Sequence, residues 1–410
     1  MNLDPSKGAA ALRSELLDLM SDYVYPAESV YAEQIRESGD PYFDPPIMEE
    51  LKIEARKRGL WNLFLSDDEY GAGLSNVDYA HLAEILGRSS IASEAANCNP
   101  PDTGNMEILA RFGSAEQKRR WLMPLLNGEI RSCFSMTEPE VASSDPTGIR
   151  TTIARDGDEL VINGHKSWAT GAARKKCELL ILLGKSHPDA EPHGQMSIVL
   201  IPMHTPDVEI VRDLTIFGYT DHEGHCELRL NDVRIPVAEA VLGGDGNGFG
   251  VAQARLGPGR IHHCMRNIGV AERGLELLCK RAATRQSFGG LLIDQGVVRD
   301  WIAESRLDIE QARLAVLRAC WAMDTKGNRE AAKEISIAKV IAPNAALRVV
   351  DRAIQVHGAA GMCQDFPLAD MWAHLRTLRI GDGPDEVHKM VLARREAKQY
   401  DDLKMIATSQ

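Results

Sequence analysis

Apolar residues recur at helical spacing through the first third of the chain. Leu12, Leu16, Leu19, Met20 and Val24 mark one helix within residues 9–36. Pro45 to Arg58, with Pro at the start and Gly59 just past the end, predicts a second. Val77 to Leu86 repeats the period. Ser114-Ala-Glu-Gln117 has the order of a capping box and opens a helix through Trp121 to Leu126. Ala92 to Gly104, with Asn and two prolines, reads as a loop. Residues 1–130 are therefore expected to form an all-α domain.

The period then shortens. Thr151–Arg155 and Glu159–Ile162 are β-prone runs joined by Asp156-Gly157, and Asn163-Gly164 follows as a second hairpin signal. Leu179–Leu183, Ser197–Ile201, Val208–Val211 and Glu227–Leu230 continue as strands, so residues 131–243 predict an antiparallel β-domain. Gly243-Gly-Asp-Gly-Asn-Gly248 does not fit GxGxxG and lacks a βαβ unit around it; it reads as a hinge into a helix. Val251–Cys279, Gln295–Asp324 and Ala331–Gly358 are long and apolar at helical spacing, which predicts a four-helix bundle over 244–410. The fold class is α+β, in the order helices, sheet, helices.

A chain of 410 residues is long for one core. Its net charge of −12 opposes nucleic acid as a partner, because phosphate binding relies on an excess of Lys and Arg. The eight cysteines form no CxxC pair and no zinc-type spacing, so no metal is expected and the thiols read as reduced, mostly buried groups of a cytoplasmic protein. Met1-Asn-Leu-Asp-Pro5 lacks the order of a signal peptide, Ala407-Thr-Ser-Gln410 is no recognised address, and no run of about 18 apolar residues predicts a membrane span.

Two segments carry candidate chemistry. In Cys133-Phe-Ser-Met-Thr-Glu-Pro-Glu-Val-Ala-Ser-Ser-Asp145 an apolar run ends in hydroxyls, Pro and small residues, which leaves backbone N–H groups to face a ligand. About 30 residues on, Asn163-Gly-His-Lys-Ser-Trp-Ala-Thr170 sets an aromatic slab two residues from a hydroxyl at a strand end. His262 and His263 are neighbours on one helix and face different directions, which points to packing or subunit contact and not to a shared ion. His165, after Asn163-Gly164, is expected to be exposed.

In this order the two segments resemble the isoalloxazine-cradling segments of the acyl-CoA dehydrogenases, and the helix–sheet–helix order extends the resemblance over the whole chain. The resemblance implies non-covalent FAD. Its contacts would come from Phe134, Met136, Thr137 and Ser143 in the first segment and Trp168, Ala169 and Thr170 in the second. Arg285-Gln-Ser-Phe288 with Gln295 is similar to the family's Arg-x-x-Phe helix end. Gln355-Val356-His-Gly358-Ala359-Ala-Gly361 resembles its Gln-x-x-Gly-x-x-Gly turn. Both imply contacts to the pyrophosphate and adenine half of FAD across a subunit boundary, hence a homotetramer. Glycine C-capping of a helix is the plain alternative at Gly358.

Leu256-Gly-Pro-Gly-Arg260 resembles the family's Leu-Asp-x-x-Arg helix start beside the substrate thioester, with Gly257 where Asp is common. Arg379-Ile-Gly-Asp382-Gly-Pro-Asp-Glu-Val-His388 departs from the usual Tyr-Glu-Gly-Thr, whose Glu takes the substrate α-proton. Some members carry the base just before the Arg of the other motif. Gly259 there offers no carboxylate, so the resemblance leaves Asp382 as base. It adds substrate contacts from Ser143, Arg260 and Gly383 and cofactor contacts from Pro384 and Glu386. Asp382 also suits a helix N-cap, with Asp385 and Glu386 in the first turn. Both motifs most resemble the branch whose large eukaryotic members add a phosphotransferase-like domain and act on long-chain and 4-hydroxyacyl-CoA thioesters.

The implied activity is α,β-dehydrogenation of an acyl-CoA to the trans-2-enoyl-CoA in fatty-acid β-oxidation, with an electron-transferring flavoprotein as acceptor. Two other functions stay open on the same scaffold. One is a flavin oxidase, such as the nitroalkane oxidases that also use Asp as base. The other is a non-catalytic or DNA-associated flavoprotein, which the negative charge opposes.

Overall fold

The structure, a computed structural model, describes the backbone of residues 1–407 and the side chains of 1–398 and 400. Thr408–Gln410, part of the C-terminal run inspected for an address, lie outside the described residues. Helices α1 (Lys7–Leu19) and α2 (Tyr25–Ser38) are joined by a π-helical turn, and α3 (Pro46–Lys57), α4 (Asn76–Leu86) and α5 (Asp102–Phe112) follow. Strands β1 (Arg131–Ser135), β2 (Thr152–Asp156), β3 (Glu159–Thr170), β4 (Cys177–Lys185), β5 (Met196–Pro202), β6 (Val208–Leu214), β7 (His225–Pro236) and β8 (Val241–Leu242) come next. Then come α6 (Gly248–Thr284), a small hairpin of β9 (Gln286–Ser287) and β10 (Gly290–Leu291), α7 (Gly296–Lys326), α8 (Ala332–His357), α9 (Leu368–Thr377) and α10 (Asp385–Ala407). The Ser114 capping box forms with both of its hydrogen bonds. No helix among the described residues is long and apolar enough to cross a membrane.

The chain divides into two compact units. One comprises Asp18–Gly73 and Ser93–Gly259, the other Met1–Leu17, Leu74–Ala92 and Arg260 onward. The first holds the sheet, in the order β6-β7-β3-β2-β4-β5-β8 with β1 against β4. β4 and β5 are buried almost throughout, which is why their sequences are continuously apolar and do not alternate. β6 is the exposed edge, and its Glu209, Arg212 and Asp213 discourage further strand pairing.

Two expectations for this region need correction. The sheet is not wholly antiparallel, because β1 runs parallel to β4 from Arg131↔Cys177 to Ser135↔Leu182. Parallel alignment needs a long crossover in place of a tight turn, and the chain after Ser135 makes one. Asn163-Gly164 is not a turn either. It lies inside β3, at a register shift between Ile162 and Gly164 against β7, with β2 paired on the other side. Pairing on both flanks overrides the local turn preference. His165 accordingly lies on the sheet, 2.7 Å from Glu227 Oε1, and is half-buried.

In the second unit α6, α7, α8 and α10 form the bundle, with α9 against α8. Glu272 of α6 binds Arg306 and Arg313 of α7, Asp308 of α7 binds Arg348 and Arg352 of α8, and Asn344 of α8 donates to Asp385 of α10. α4 crosses α6 backbone to backbone. A Cβ on Gly269 would lie 1.8 Å from the Glu84 carbonyl oxygen, and one on Gly87 would lie 2.1 Å from that of Arg266.

Gly269→Ala is therefore expected to destabilise the protein by about 1–3 kcal/mol through overpacking, although alanine is the better helix former. Gly296→Ala, at the start of α7 with no atom in the path of the new methyl, should be neutral or slightly stabilising. Thermal unfolding of the two variants checks the contrast, and equal melting temperatures would refute the close crossing.

Candidate active site

β3 ends on Trp168-Ala169-Thr170. Trp168 has φ 56° and is 46% exposed, at a register shift between Lys166 and Ala169. A bulky residue in the left-handed region costs about 1–3 kcal/mol, and such strain gathers where a side chain has to be aimed. Ala169 beside it is buried and pairs with Cys226, so the irregularity turns the indole outward. Thr170 Oγ1 lies 2.9 Å from His225 Nδ1, and His225 Nε2 lies 3.5 Å from Asp221 Oδ2.

The chain after β1 lies alongside. Ser167 N donates to the Thr137 carbonyl at 2.9 Å, and Lys166 Nζ donates to that of Met136 at 3.1 Å. Ser143 Oγ accepts from Glu138 N at 2.9 Å and folds the loop back on itself. The two segments singled out from sequence are thus hydrogen-bonded together. An outward indole on strained backbone, a hydroxyl two residues on and polar backbone alongside fit the isoalloxazine that the resemblance implies. The Phe134 and Ala169 side chains are buried, Phe134 under the Arg255 guanidinium at 4.1 Å, so a ligand would meet these residues through their backbone.

Sequence reasoning missed the group that holds this arrangement. Lys166 is fully buried, 2.9 Å from Glu138 Oε1, and also donates to the Leu183 carbonyl at 2.8 Å. Glu138 accepts from Arg150 N, Thr151 N and Thr151 Oγ1 at 2.7, 2.9 and 2.6 Å. Burial pushes the Lys166 ammonium down to about 8 against the pull of Glu138. Burial raises Glu138, but Lys166, Thr151 and the backbone donors outweigh it and hold the carboxyl below its usual value. Because lysine is usually exposed, no sequence pattern marks Lys166.

The helical unit places Asp382 in the turn between α9 and α10. Asp382 and Gly383 have φ of 56° and 102°, and Pro384 follows. A Cβ on Gly383 would meet His388 Nε2 at 3.0 Å, and the backbone there strains any side chain. Arg260 Nε donates to the Asp382 carbonyl at 2.8 Å. Arg260 lies well inside α6, not at a helix start, because the helix begins at Gly248 and continues through Pro258. The N-cap alternative for Asp382 fails, since α10 begins three residues later. Of the first-turn carboxylates Asp385 and Glu386, Asp385 is buried, with Arg379 Nε and Asn344 Nδ2 on one oxygen at 2.8 and 2.9 Å.

His263, expected to pack or meet a partner, lies with Nε2 3.6 Å from Asp382 Oδ2; the two side chains are 17% and 22% exposed. His262 does pack, buried edge-on to Tyr79. Burial, aided by Arg266, holds His263 well below the usual imidazole range. Burial, aided by Arg260 and Lys339, holds His388 down to about 4. Both are neutral near pH 7. Lys339, buried in α8, donates to the Leu378 carbonyl at the end of α9.

Arg285, Gln295, Gln355, Ala359 and Glu386 are exposed, and Val356 is buried. Phe288 is fully exposed at the tip of the β9–β10 hairpin, with φ 50°. Gly358, at φ 65°, ends α8 with its N–H on the Ile354 and Gln355 carbonyls, so the capping role is met whatever else it does.

Three family models match the chain: acyl-CoA dehydrogenase N-terminal domain over residues 8–129, middle domain over 133–233 and C-terminal domain over 246–397. The chain is 52% identical over 398 residues to FadE2 of Mycobacterium tuberculosis, named as a candidate acyl-CoA dehydrogenase, and the match covers 97% of each. It is 52% identical over 383 residues to acyl-CoA dehydrogenase family member 11 of Gallus gallus, covering 92% of this chain and 49% of that one. The chain thus spans about half the length of that relative. A solved structure from Mycobacterium abscessus, described as a candidate acyl-CoA dehydrogenase, matches with a TM-score of 0.93 at 46% identity, over 97% of this chain and 100% of that one.

Lys166→Met should cost about 3–5 kcal/mol by leaving Glu138 buried without its cation, and the double variant with Glu138→Gln should regain part of the loss. Thermal unfolding reads both. A Lys166→Met variant as stable as the wild type would show that the pair carries no structural load.

Proposed function

The chain belongs to the acyl-CoA dehydrogenase family, an oxidoreductase with FAD as its cofactor, and we propose that it removes the α- and β-hydrogens of an acyl-CoA thioester with Asp382 as the α-proton base. The observation that carries this reading is the division of labour in the 378–385 turn. Asp385 takes the buried ion pair and the helix start, while Asp382 is half-buried on a backbone that Arg260 anchors.

Bound FAD supplies what side chains lack, acceptance of the β-hydride. Phe134, Met136, Thr137, Ser143, Trp168, Ala169 and Thr170 would hold its ring, and Pro384 and Glu386 would add contacts from the α10 turn. The Asp382 carboxylate takes the α-proton as the α C–H bond breaks, and the electron pair becomes the new C=C bond as the β C–H bond is lost. The Asp382 N–H would face the thioester oxygen, where negative charge develops. Arg260 and Gly383 would shape the substrate side of the turn, with Ser143 contributing from the loop after β1.

Further details belong to the same reading. The acceptor is an electron-transferring flavoprotein and the pathway fatty-acid β-oxidation; the free and mostly buried thiols suit a cytoplasmic setting. The assembly is a homotetramer, in which the exposed Arg285, Phe288, Gln295, Gln355 and Ala359, with the backbone of Val356 and Gly358, reach the FAD of a partner copy. A fully exposed Phe288 supports this, because a lone apolar tip is better covered than solvated.

Asp382→Asn keeps the shape and removes the basicity. It should retain FAD and bind acyl-CoA but bleach its flavin at least about 100-fold more slowly in anaerobic stopped flow; a wild-type rate would move the base elsewhere. Arg285→Ala should lower both FAD occupancy and melting temperature, because the cofactor stabilises only the assembled state. A wild-type monomer with full FAD occupancy would contradict that coupling. Oxygen consumed stoichiometrically with acyl-CoA, in the absence of any other acceptor, would identify an oxidase instead.

A further inference from the structure

We propose that His263 is the positioning residue of this site: a neutral imidazole that aims its Nε2–H at the Asp382 carboxylate and sets the direction from which that carboxylate meets the substrate α-hydrogen. The proposal rests on the reading of Asp382 as base and extends it to a second side chain on a different helix.

The geometry fixes the imidazole's proton. Arg266 Nη2 lies 3.3 Å from His263 Nδ1. A guanidinium only donates, so Nδ1 is the acceptor and a neutral ring must carry its hydrogen on Nε2. That nitrogen is the one 3.6 Å from Asp382 Oδ2. The separation is slightly beyond a hydrogen bond, as catalytic contacts often are before the substrate is bound. Arg266 sits one helical turn from His263 on α6, so the helix itself holds the donor against Nδ1. Arg260, one turn the other way, holds the Asp382 backbone. One face of α6 thus grips the base at its carbonyl and at its carboxylate.

The surroundings keep the ring neutral. The charged and titratable groups near this point are Arg260, Cys264 and Arg266 on α6, Lys339 on α8, His374 on α9, Asp382 itself, and Asp385 and His388 on α10. The cations outnumber the anions, and with burial they oppose a further proton on His263. A neutral N–H donor orients a carboxylate without neutralising it. An imidazolium in the same place would weaken the base it positions.

The test separates proton removal from redox chemistry. A 3,3-dimethylacyl-CoA has no β-hydrogen, so it can exchange its α-hydrogens with D2O but cannot be dehydrogenated. A series from 3,3-dimethylhexanoyl- to 3,3-dimethyleicosanoyl-CoA is incubated with the FAD-bound enzyme in D2O across pH, and deuterium uptake is followed by mass spectrometry. His263→Ala should exchange about 10- to 100-fold more slowly than the wild type. The acid limb of its profile should also move to higher pH, because a donor that favours the carboxylate form has been removed. His263→Gln, whose amide N–H extends to about the place of Nε2–H, should recover most of the rate and the original limb. Flavin absorbance and melting temperature confirm that each variant is folded and loaded.

Absence of exchange with the wild type, or undiminished exchange in Asp382→Asn, would remove Asp382 as base and this proposal with it. Exchange lost in Asp382→Asn but unchanged in rate and pH profile in His263→Ala would overturn the role of His263 alone. A rate that falls equally in His263→Ala and His263→Gln, with no shift of the limb, would also overturn it and leave His263 a packing residue.

Discussion

The buried pair of Lys166 and Glu138 is the interaction on which the sheet unit's site depends. Four pieces of chain meet at it: the loop after β1 through Met136 and Glu138, the residues just before β2 through Arg150 and Thr151, β3 through Lys166 itself, and β4 through the Leu183 carbonyl. Taking two ions out of water is costly, and the attraction between them repays that only when the remaining donors and acceptors are satisfied. Here the carboxylate accepts from two backbone N–H groups, a hydroxyl and the ammonium, and the ammonium has two carbonyls besides. The gain is specificity of place. A crossover loop has no ladder of its own to fix it. The pair fixes this one against β3 at the point where β3 turns Trp168 outward.

The helical unit solves a different problem. A carboxylate near a helix start is drawn into capping or ion pairing, and one so engaged is a poor base. Asp385, in the first turn of α10, carries the ion pair with Arg379 from a buried position. Asp382 stands upstream on two successive positive-φ residues, with its backbone held by Arg260. An aspartate reaches about 1.5 Å less far than a glutamate. On the proposed reading of Asp382 as base, the turn would supply the missing reach by backbone placement, and an Asp-Gly-Pro sequence can do so: Gly383 accepts the φ of 102° and Pro384 limits further change.

Much of the fold was legible. The helix–sheet–helix order, the long bundle helices and the Ser114 capping box follow from local rules that tertiary contacts did not overturn. The errors came where neighbours outvoted local preference. Asn163-Gly164 has the chemistry of a turn, yet strands on both sides hold it in extended pairing. Parallel pairing of β1 with β4 has no local signature, since it depends on where a crossover returns.

In the candidate site, residues were legible when their type was unusual for their place, as with the Trp-Ala-Thr strand end or an Asp-Gly-Pro turn where Tyr-Glu-Gly-Thr is usual. Residues whose role depends on burial were not. Nothing in sequence separates Lys166 or Lys339 from a surface lysine, and the adjacency of His262 and His263 excludes a shared ion without saying what either ring faces. Their difference lies in the helix. A step of one residue turns the side chain by about 100°, enough to send His262 against Tyr79 and His263 toward Asp382. The same geometry places Arg260, His263 and Arg266 at intervals of three along one face of α6, where Arg260 donates to the Asp382 carbonyl, His263 Nε2 lies 3.6 Å from the Asp382 carboxylate and Arg266 meets His263 Nδ1. α6 begins at Gly248 and continues through Pro258, so the row lies inside one continuous helix.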